Sequence, residues 1–266
     1  MKVLFLGDIV GSSGVEAVKD NLKKIQDDFQ IDFTIVNGEN AADGFGITEN
    51  ICKELYSYGV DVITTGNHLW DQKEISDYID KDDRLLKPFN FAEGSPGIGF
   101  NKYVLNDGKS IAVINIMGNL FMRSCDNAFF KIEEVLNKLE DEDISFIFVD
   151  FHAEATSEKM AMGHHLDGRV TAVVGTHTHV PTADATILVN GTAYQTDAGM
   201  CGDYDSVIGT QKGEFVRKFA TQDKERKRIS PASGPATLCG VIIESQPQNI
   251  LAKSIIPIKI GGRIGN

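Results

Sequence analysis

Short apolar, β-branched runs alternate with helix-like segments in the first quarter of the chain. The runs predict strands at Val3–Leu6, Phe33–Val36 and Val60–Thr64. Between the first two strands, apolar residues recur at spacings of three and four and predict one buried helix face, formed by Val15, Val18, Leu22, Ile25 and Phe29. A second, shorter helix is predicted over Ile47–Tyr58. This alternation favours an α/β fold with polar residues at the carboxyl ends of buried strands.

The rest of the chain is richer in hairpin signals. Two turns of the Asn-Gly or Asp-Gly type separate pairs of strand-like runs, Tyr103–Leu105 from Ile111–Ile116 and Thr186–Val189 from Thr192–Gln195. Further strands are predicted at Phe146–Val149 and Val170–Val174, and as a closing antiparallel pair at Cys239–Glu244 and Ile250–Ile260. No repeat or linker interrupts the pattern. We therefore predict one domain over residues 1–266, with two facing mixed β-sheets flanked by helices.

The charge balance limits the kinds of partner. The 266 residues are 42% hydrophobic and 24% charged, as in ordinary globular proteins, and the formal net charge is −12. Such a chain should present no broad nucleic-acid surface and no membrane-binding surface. An anionic substrate would need local positive charge, for which a bound metal is the obvious source. The four cysteines are scattered, and no signal peptide or membrane span is recognisable, so the cytoplasm is the expected location.

Residues of metal-ligand type follow five of the predicted strands: Asp8, then Glu39 and Asn40, then Asn67 and His68, then His152, then His177 and His179. Each has an ordinary structural interpretation. Asp8 could cap a helix, Asn40 and Asn67 could be turn residues, and a single histidine after a strand is more often a buried imidazole than a ligand. The joint pattern is harder to ascribe to chance, because four of the six histidines of the chain fall at strand ends.

The residue types indicate which cations such a site would prefer. On a continuing strand, His177 and His179 would point to the same side, unless a turn intervenes. Imidazoles and amide oxygens mixed with carboxylates suit Fe, Mn, Zn or Co better than Ca or Mg. Since only two carboxylates contribute, a site with two divalent cations would keep a net positive charge and could attract phosphate.

Taken in order, these motifs resemble the calcineurin-like metallophosphoesterase superfamily, and their variant details resemble its YmdB-like branch of bacterial phosphodiesterases. The branch-like motifs are Leu6-Gly7-Asp8-Ile9-Val10-Gly11, Val36-Asn37-Gly38-Glu39-Asn40-Ala41-Ala42, Thr65-Gly66-Asn67-His68-Leu69-Trp70-Asp71, Gly175-Thr176-His177-Thr178-His179-Val180 and the glycine-containing run Gly199–Gly209. The superfamily's first motif is Asp-x-His, whereas this chain has Asp8-Ile9-Val10 and lacks that imidazole. The resemblance spans nearly the whole chain and implies a four-layer metallophosphoesterase-like sandwich.

The resemblance also implies ligand sets for two transition-metal ions, with iron favoured and manganese or zinc as alternatives. One ion would be held by Asp8, Glu39, Asn40 and His179, with Asn40 replacing the missing imidazole. The other would be held by Glu39, Asn67, His152 and His177, so that Glu39 bridges the two. His68 would remain unligated and act as the general acid.

The expected activity is hydrolysis of cyclic nucleotides, 2′,3′-cyclic or 3′,5′-cyclic, or of another small phosphodiester. A hydroxide shared by the two cations would attack phosphorus while His68 protonates the leaving sugar oxygen. A phosphomonoesterase, including a protein phosphatase, and a nucleotide-binding regulator with negligible turnover are the alternatives. A homo-oligomer is compatible with the sequence. Phe121, Met122 and Tyr204 could form a wall for the base, although core packing is the better default for each.

Three further features have ordinary structural interpretations. His164 and His165 are expected on a helix surface, and the basic cluster Lys224–Arg228 is expected in a solvated loop or at a helix end. Arg123 and Arg169 lie outside the quoted motifs but could approach a phosphate from elsewhere.

Overall fold

A computed structural model of the chain describes residues 1–221 and 229–265. The basic cluster Lys224–Arg228 lies outside the described residues, so the expectation for it stays a prediction. Among the helices of the described residues, none has the length and apolar composition needed to cross a bilayer.

One sheet contains the strands that carry the first three motifs. Its order is β2-β11-β12-β1-β3-β4, and β13 pairs with β12 beside this path. The strands are β1 (Lys2–Leu6), β2 (Asp8–Ile9), β3 (Phe33–Asn37), β4 (Val62–Thr64), β11 (Met200–Asp203), β12 (Ala236–Ser245) and β13 (Ala252–Ile260). Strands β1, β3 and β4 are parallel neighbours, whereas β12 is antiparallel to both β1 and β13. The sheet is therefore mixed, and the predicted closing antiparallel pair is confirmed.

The other sheet contains the strands that carry the histidine motifs, in the order β5-β6-β7-β8-β10-β9. These strands are β5 (Phe100–Val104), β6 (Ser110–Met117), β7 (Phe146–His152), β8 (Ala172–Thr176), β9 (Thr186–Ile187) and β10 (Ala193–Gln195). The two pairs joined by the predicted turns, β5 with β6 and β9 with β10, are antiparallel. Both predicted hairpins are therefore present, and β6, β7 and β8 run parallel between them.

Helices cover the outer faces of both sheets. They are α1 (Gly11–Phe29), α2 (Glu49–Ser57), α3 (Ile75–Tyr78), α4 (Ala128–Leu139), α5 (Thr156–His165) and α6 (Lys212–Thr221). The side chain of Thr48 caps α2 by accepting a hydrogen bond from the backbone N–H of Ile51 at 3.3 Å, and Asn127 caps α4 in the same way. Asp8 does not cap α1, whose N-cap position is occupied by Val10.

Side chains along each strand point alternately to the two faces of the sheet, and this places one apolar set between the sheets and another under the helices. In β1, Val3 and Phe5 belong to the core between the sheets, where the Phe5 ring lies 4.8 Å from that of Phe148 on β7. Leu4 and Leu6 point the other way and pack against α1. A third cluster packs α4 and α5 against the outer face of β6 and β7. The helix–sheet–sheet–helix arrangement confirms the predicted fold.

The remaining differences concern the ends of elements. Strand β4 begins at Val62 and not at Val60, and β7 extends to His152, three residues beyond the predicted end. His152 is thus the last residue of a strand and not part of the loop after it. Phe29 completes the spacing pattern of α1 but is 36% exposed, because the helix ends there beyond the edge of the core.

Candidate functional site

The candidate residues meet because parallel strands deliver their carboxyl ends to one edge of the molecule. Asp8 lies on β2, Glu39 and Asn40 follow β3, and Asn67 and His68 follow β4. In the facing sheet, His152 ends β7, and His177 and His179 follow β8. Contacts between side chains or backbone link all eight residues into one cluster, so the structure brings the scattered motifs together.

We define group one as Glu39, Asn67, His152 and His177. The Nε2 atom of His152 lies 3.0 Å from Asn67 Oδ1, 3.1 Å from Glu39 Oε1 and 3.1 Å from His177 Nδ1. Ligands that bind one cation at about 2.1 Å, at right angles to each other, are about 3.0 Å apart. The three distances from His152 Nε2 are therefore compatible with donors that share one cation.

In each imidazole of group one, the ring nitrogen that faces away from the group has a polar partner. The other nitrogen, Nε2 of His152 or Nδ1 of His177, faces the centre of the group. Thr176 donates its hydroxyl proton to Asp150 at 2.7 Å and so accepts from Nδ1 of His152 at 2.9 Å. Nε2 of His177 lies 3.2 Å from the carboxylate of Glu154. With a proton on the outer nitrogen of each ring, the nitrogen that faces the centre of the group is the one available to bind a metal, as in metal-ligating histidines.

We define group two as Asp8, Glu39, Asn40 and His179. Nδ1 of His179 donates to the carbonyl oxygen of Ile208 at 2.8 Å, so its Nε2 lone pair faces Asn40 Oδ1 at 3.2 Å. The amide of Asn40 cannot turn its NH₂ toward His179 without losing its bond to the carbonyl oxygen of Gly44 at 2.9 Å. Two acceptors therefore face each other, which is unfavourable unless a cation lies between them.

The two groups share Glu39. Within each group, the carboxylate oxygens and ring nitrogens lie within 4.8 Å of one another. Asp8 Oδ1 and Glu39 Oε1 are buried and accept no hydrogen bond from the described residues. A buried carboxylate oxygen without a donor is costly, and a coordinated cation removes that cost. The donor set thus fits two cations, one in each group, with Glu39 between them.

Burial and neighbouring charges shift the pKa values of the titratable residues in the two groups. Burial raises the pKa of Asp8 to about 7, although His179 and His152 act against it. Burial also lowers the pKa of His177 to about 3, with His152 adding to the shift, so His177 is neutral near pH 7. For His152, burial acts to lower the pKa, but Glu39, Asp8 and Asp150 outweigh it and raise the pKa to about 9. A proton on His152 would occupy the position that a cation takes in group one.

His68 belongs to neither group. Its backbone N–H donates to Glu39 Oε2 at 3.0 Å, while its Nδ1 lies 2.6 Å from Asp71 Oδ2. The Phe45 ring packs edge-on against the imidazole at 5.1 Å between centroids. Arg123 reaches Asp71 Oδ1 at 3.3 Å. With Nδ1 engaged and the ring partly exposed, Nε2 remains for a substrate atom.

The two histidines of the His-x-His motif do not continue β8, which ends at Thr176. Their φ angles of 95° and 66° place His177 and His179 in left-handed backbone, and they reach different groups. A turn intervenes, which is the exception that the prediction allowed for, so the two side chains do not point to one side of a strand. Asp197 holds the turn by accepting from the backbone N–H and the hydroxyl of Thr178 and from Nζ of Lys159.

A cleft of about 360 Å³ opens beside the two groups. Apolar side chains line it, namely Phe45, Ile208, Phe215, Ile229 and Pro231. Phe121, Met122 and Tyr204, for which a wall was the alternative to core packing, do not line this cleft. Phe121 is 89% exposed, and the hydroxyl of Tyr204 is engaged with the backbone of Met200 and His179.

The structure also shows where Arg169, His164 and His165 lie relative to the site. Arg169 forms a bidentate ion pair with Glu133, with both N···O distances at 2.7 Å. Its guanidinium is therefore held away from the site. His165 contacts the same carboxylate, and both His164 and His165 are exposed on α5, as predicted.

Comparisons with known proteins agree with this fold. The model of a family described as YmdB-like protein matches residues 4–258. A Bacillus subtilis (strain 168) protein named 2′,3′-cyclic-nucleotide 2′-phosphodiesterase is 47% identical over 260 residues, which cover 98% of this chain and 97% of the relative.

Two crystal structures share the fold at a TM-score of 0.91. One is a hypothetical protein from Thermus thermophilus, 39% identical, with 99% of this chain and 100% of that chain covered. The other is a novel phosphatase from Mycoplasma pneumoniae, 35% identical, with 98% and 93% covered. The chain therefore belongs to the YmdB-like protein family.

Proposed function

We propose that the protein is a phosphodiesterase that uses two metal ions to hydrolyse nucleoside 2′,3′-cyclic phosphates. The observation that carries the proposal is the pair of converging donor groups that share Glu39, in which one buried oxygen each of Asp8 and Glu39 accepts no hydrogen bond from the described residues. The name of the Bacillus subtilis relative supports the choice of substrate.

The donor chemistry favours two transition-metal ions, iron first and manganese or zinc next. Group one would hold its ion with two imidazoles, an amide oxygen and Glu39, and group two with one imidazole, an amide oxygen, Asp8 and Glu39. Such mixed nitrogen and oxygen donors suit these metals better than Ca or Mg. When bound, the two ions would supply a hydroxide at neutral pH and hold two oxygens of the phosphate.

In our proposal, His68 carries the proton that the leaving group needs. Water loses a proton to solvent and adds its oxygen to phosphorus, the bond from phosphorus to O2′ breaks, and Nε2–H of His68 delivers a proton to O2′; His68 then regains a proton from solvent. The product is the nucleoside 3′-phosphate. Asp71 holds Nδ1 of His68 at 2.6 Å, which fixes the orientation of the ring and leaves Nε2 directed toward the substrate.

Preference for a diester does not follow from charge alone. A monoester dianion would be attracted more strongly than a diester monoanion to a site with two cations. The five-membered ring of a 2′,3′-cyclic phosphate brings strain that lowers the barrier, and protonation by His68 assists the sugar oxygen as it leaves. In addition, Arg169 is held by Glu133 and Arg123 pairs with Asp71, so neither guanidinium contacts the two donor groups. Substrates with a 3′,5′-cyclic phosphate are a second, less strained choice.

The comparison that tests the proposal is kcat/KM for a nucleoside 2′,3′-cyclic phosphate against the nucleoside 3′-monophosphate, on one preparation of known metal content. We expect the cyclic diester to be preferred by about tenfold or more. A preference of about tenfold for the monoester would instead favour a phosphatase, and tight nucleotide binding without turnover would favour a regulator.

Asn40 is expected to act as a ligand in group two, in place of the imidazole found elsewhere in the superfamily. Asn40→Ala should lower the occupancy of one metal and leave the fold intact, because one oxygen donor is lost from a partly open site. Asn40→Asp keeps an oxygen at that position and should retain more metal than Asn40→Ala. Metal content and circular dichroism measure the two effects. If Asn40→Ala keeps both metals and full activity, Asn40 is only a turn residue.

A further inference from the structure

The cleft beside the two donor groups has an apolar wall that no core cluster uses. Its apolar residues, Phe45, Ile208, Phe215, Ile229 and Pro231, pack against none of the three core clusters of the described residues. Apolar side chains that a fold leaves beside a polar centre, and not in its core, are typical of ligand sites. A volume of about 360 Å³ is within the range of small-molecule sites.

The wall is fixed relative to the candidate metal groups at two points. Phe45 lies in a turn whose Gly44 carbonyl accepts from Asn40 Nδ2 at 2.9 Å, and its own carbonyl accepts from Gln72 Nε2 at 2.8 Å. Asn40 is a member of group two, and the Phe45 ring also contacts His68. The Phe45 ring is thus held next to group two, where the phosphate would bind, and next to His68, the proposed general acid.

Ile208 provides the second fixed point. Its φ of 48° lies in the left-handed region, which is a genuine outlier for a β-branched residue. This conformation aims the carbonyl oxygen of Ile208 at Nδ1 of His179, 2.8 Å away, and leaves the side chain 49% exposed in the cleft. Strain of this kind persists where surrounding contacts enforce it, as at ligand sites. One residue thus orients a candidate ligand and contributes to the wall.

We propose that this wall is the subsite for the base of the substrate, with Phe45 and Ile208 contacting the flat ring while the cyclic phosphate lies at the donor groups. The inference rests on the proposed function and adds a site that recognises the base: nucleoside cyclic phosphates are preferred over the same cyclic diester without a base. Contact between a base and an aromatic side chain does not depend on the identity of the base. Both purine and pyrimidine substrates should therefore benefit.

The test compares adenosine 2′,3′-cyclic phosphate with 1-O-methylribose 2′,3′-cyclic phosphate, which lacks the base. For the wild type, we expect kcat/KM to be higher for the nucleoside by roughly tenfold or more, in line with the usual strength of base stacking. Phe45→Ala and Ile208→Ala should each reduce that ratio several-fold, mainly through KM of the nucleoside. Any loss that arises through the contact of Phe45 with His68 affects both substrates and cancels in the ratio.

Phe130→Ala is the matched control, because Phe130 is 75% exposed on α4 and does not line the cleft. It should leave the ratio unchanged. A second readout is the affinity for adenosine 3′-monophosphate relative to inorganic phosphate, measured by calorimetry on the metal-loaded protein. Phe45→Ala should weaken the first and not the second.

The outcomes separate the inference from the proposed function. If the wild type hydrolyses both diesters and neither Phe45→Ala nor Ile208→Ala changes the ratio, the base subsite is wrong and the phosphodiesterase stands. If the wild type hydrolyses neither diester, the proposed function fails and the inference fails with it.

Discussion

Glu39→Gln should cost the protein both of its bound metals and lower kcat/KM on a nucleoside 2′,3′-cyclic phosphate by roughly 10³-fold or more. Glu39 is the one residue common to both donor groups, and it contributes one of their two carboxylates. Loss of a group that merely supports a ligand typically costs about 10–100-fold in metal affinity or activity, so loss of the shared ligand should cost more. Elemental analysis and steady-state kinetics on the same sample measure both effects.

Thermal unfolding provides a second readout of the Glu39 change. A metal that binds the folded state stabilises it, so a chelator should lower the Tm of the wild type. The same treatment should change the Tm of Glu39→Gln far less. Glu133→Gln is the matched control, since Glu133 lies in neither group and pairs with Arg169. If Glu39→Gln retains two metals per chain and most of its activity, Glu39 does not bridge a metal pair.

His68→Ala should retain both metals but lose about 10²–10⁴ in rate on nucleoside cyclic phosphates, the usual contribution of a positioned acid. His68 is outside both donor groups, and Asp71 holds its Nδ1. The loss should shrink for a diester with a 4-nitrophenol leaving group, because an acidic phenol departs without a proton. His164→Ala, on the exposed face of α5, serves as the control. Equal losses on both substrates would assign His68 another role.

Much of the site could be predicted because parallel strands end at a common edge. Sequence alone placed Asp8, Glu39 and Asn67 after strands that proved to belong to one sheet. The histidines came from the facing sheet, and their convergence on Glu39 depends on how the two sheets pack. That packing followed from the family resemblance and not from the alternation of hydrophobic residues.

The supporting residues could not be predicted, because their partners are distant in the chain. Asp150 is completely buried and accepts from Asn37, Thr64 and Thr176. In the sequence, Asp150 stands out only as a charged residue within an apolar strand. A charged residue in such a position indicates a buried polar network. Asp197 gave no comparable signal, although it holds the turn between His177 and His179.

The apolar residues that line the cleft could not be predicted either, because their positions also depend on contacts between distant parts of the chain. Phe121 and Tyr204 were suggested because aromatic residues near the motifs could contact a base. The backbone of Phe121 at φ 63° instead leaves its side chain in solvent, and the hydroxyl of Tyr204 is used to hold β11. Phe45 lies closer in sequence to Glu39 and Asn40, but its role became visible only through its contacts with His68 and through Gly44.

The most direct test of the account is the number of metal ions per chain in protein purified without added metal, determined by elemental analysis alongside hydrolysis of a nucleoside 2′,3′-cyclic phosphate. We expect two transition-metal ions per chain in the active protein, and an activity that falls with their removal and returns when they are restored. Full diesterase activity in protein that holds one ion or none would contradict a dinuclear site built on Glu39.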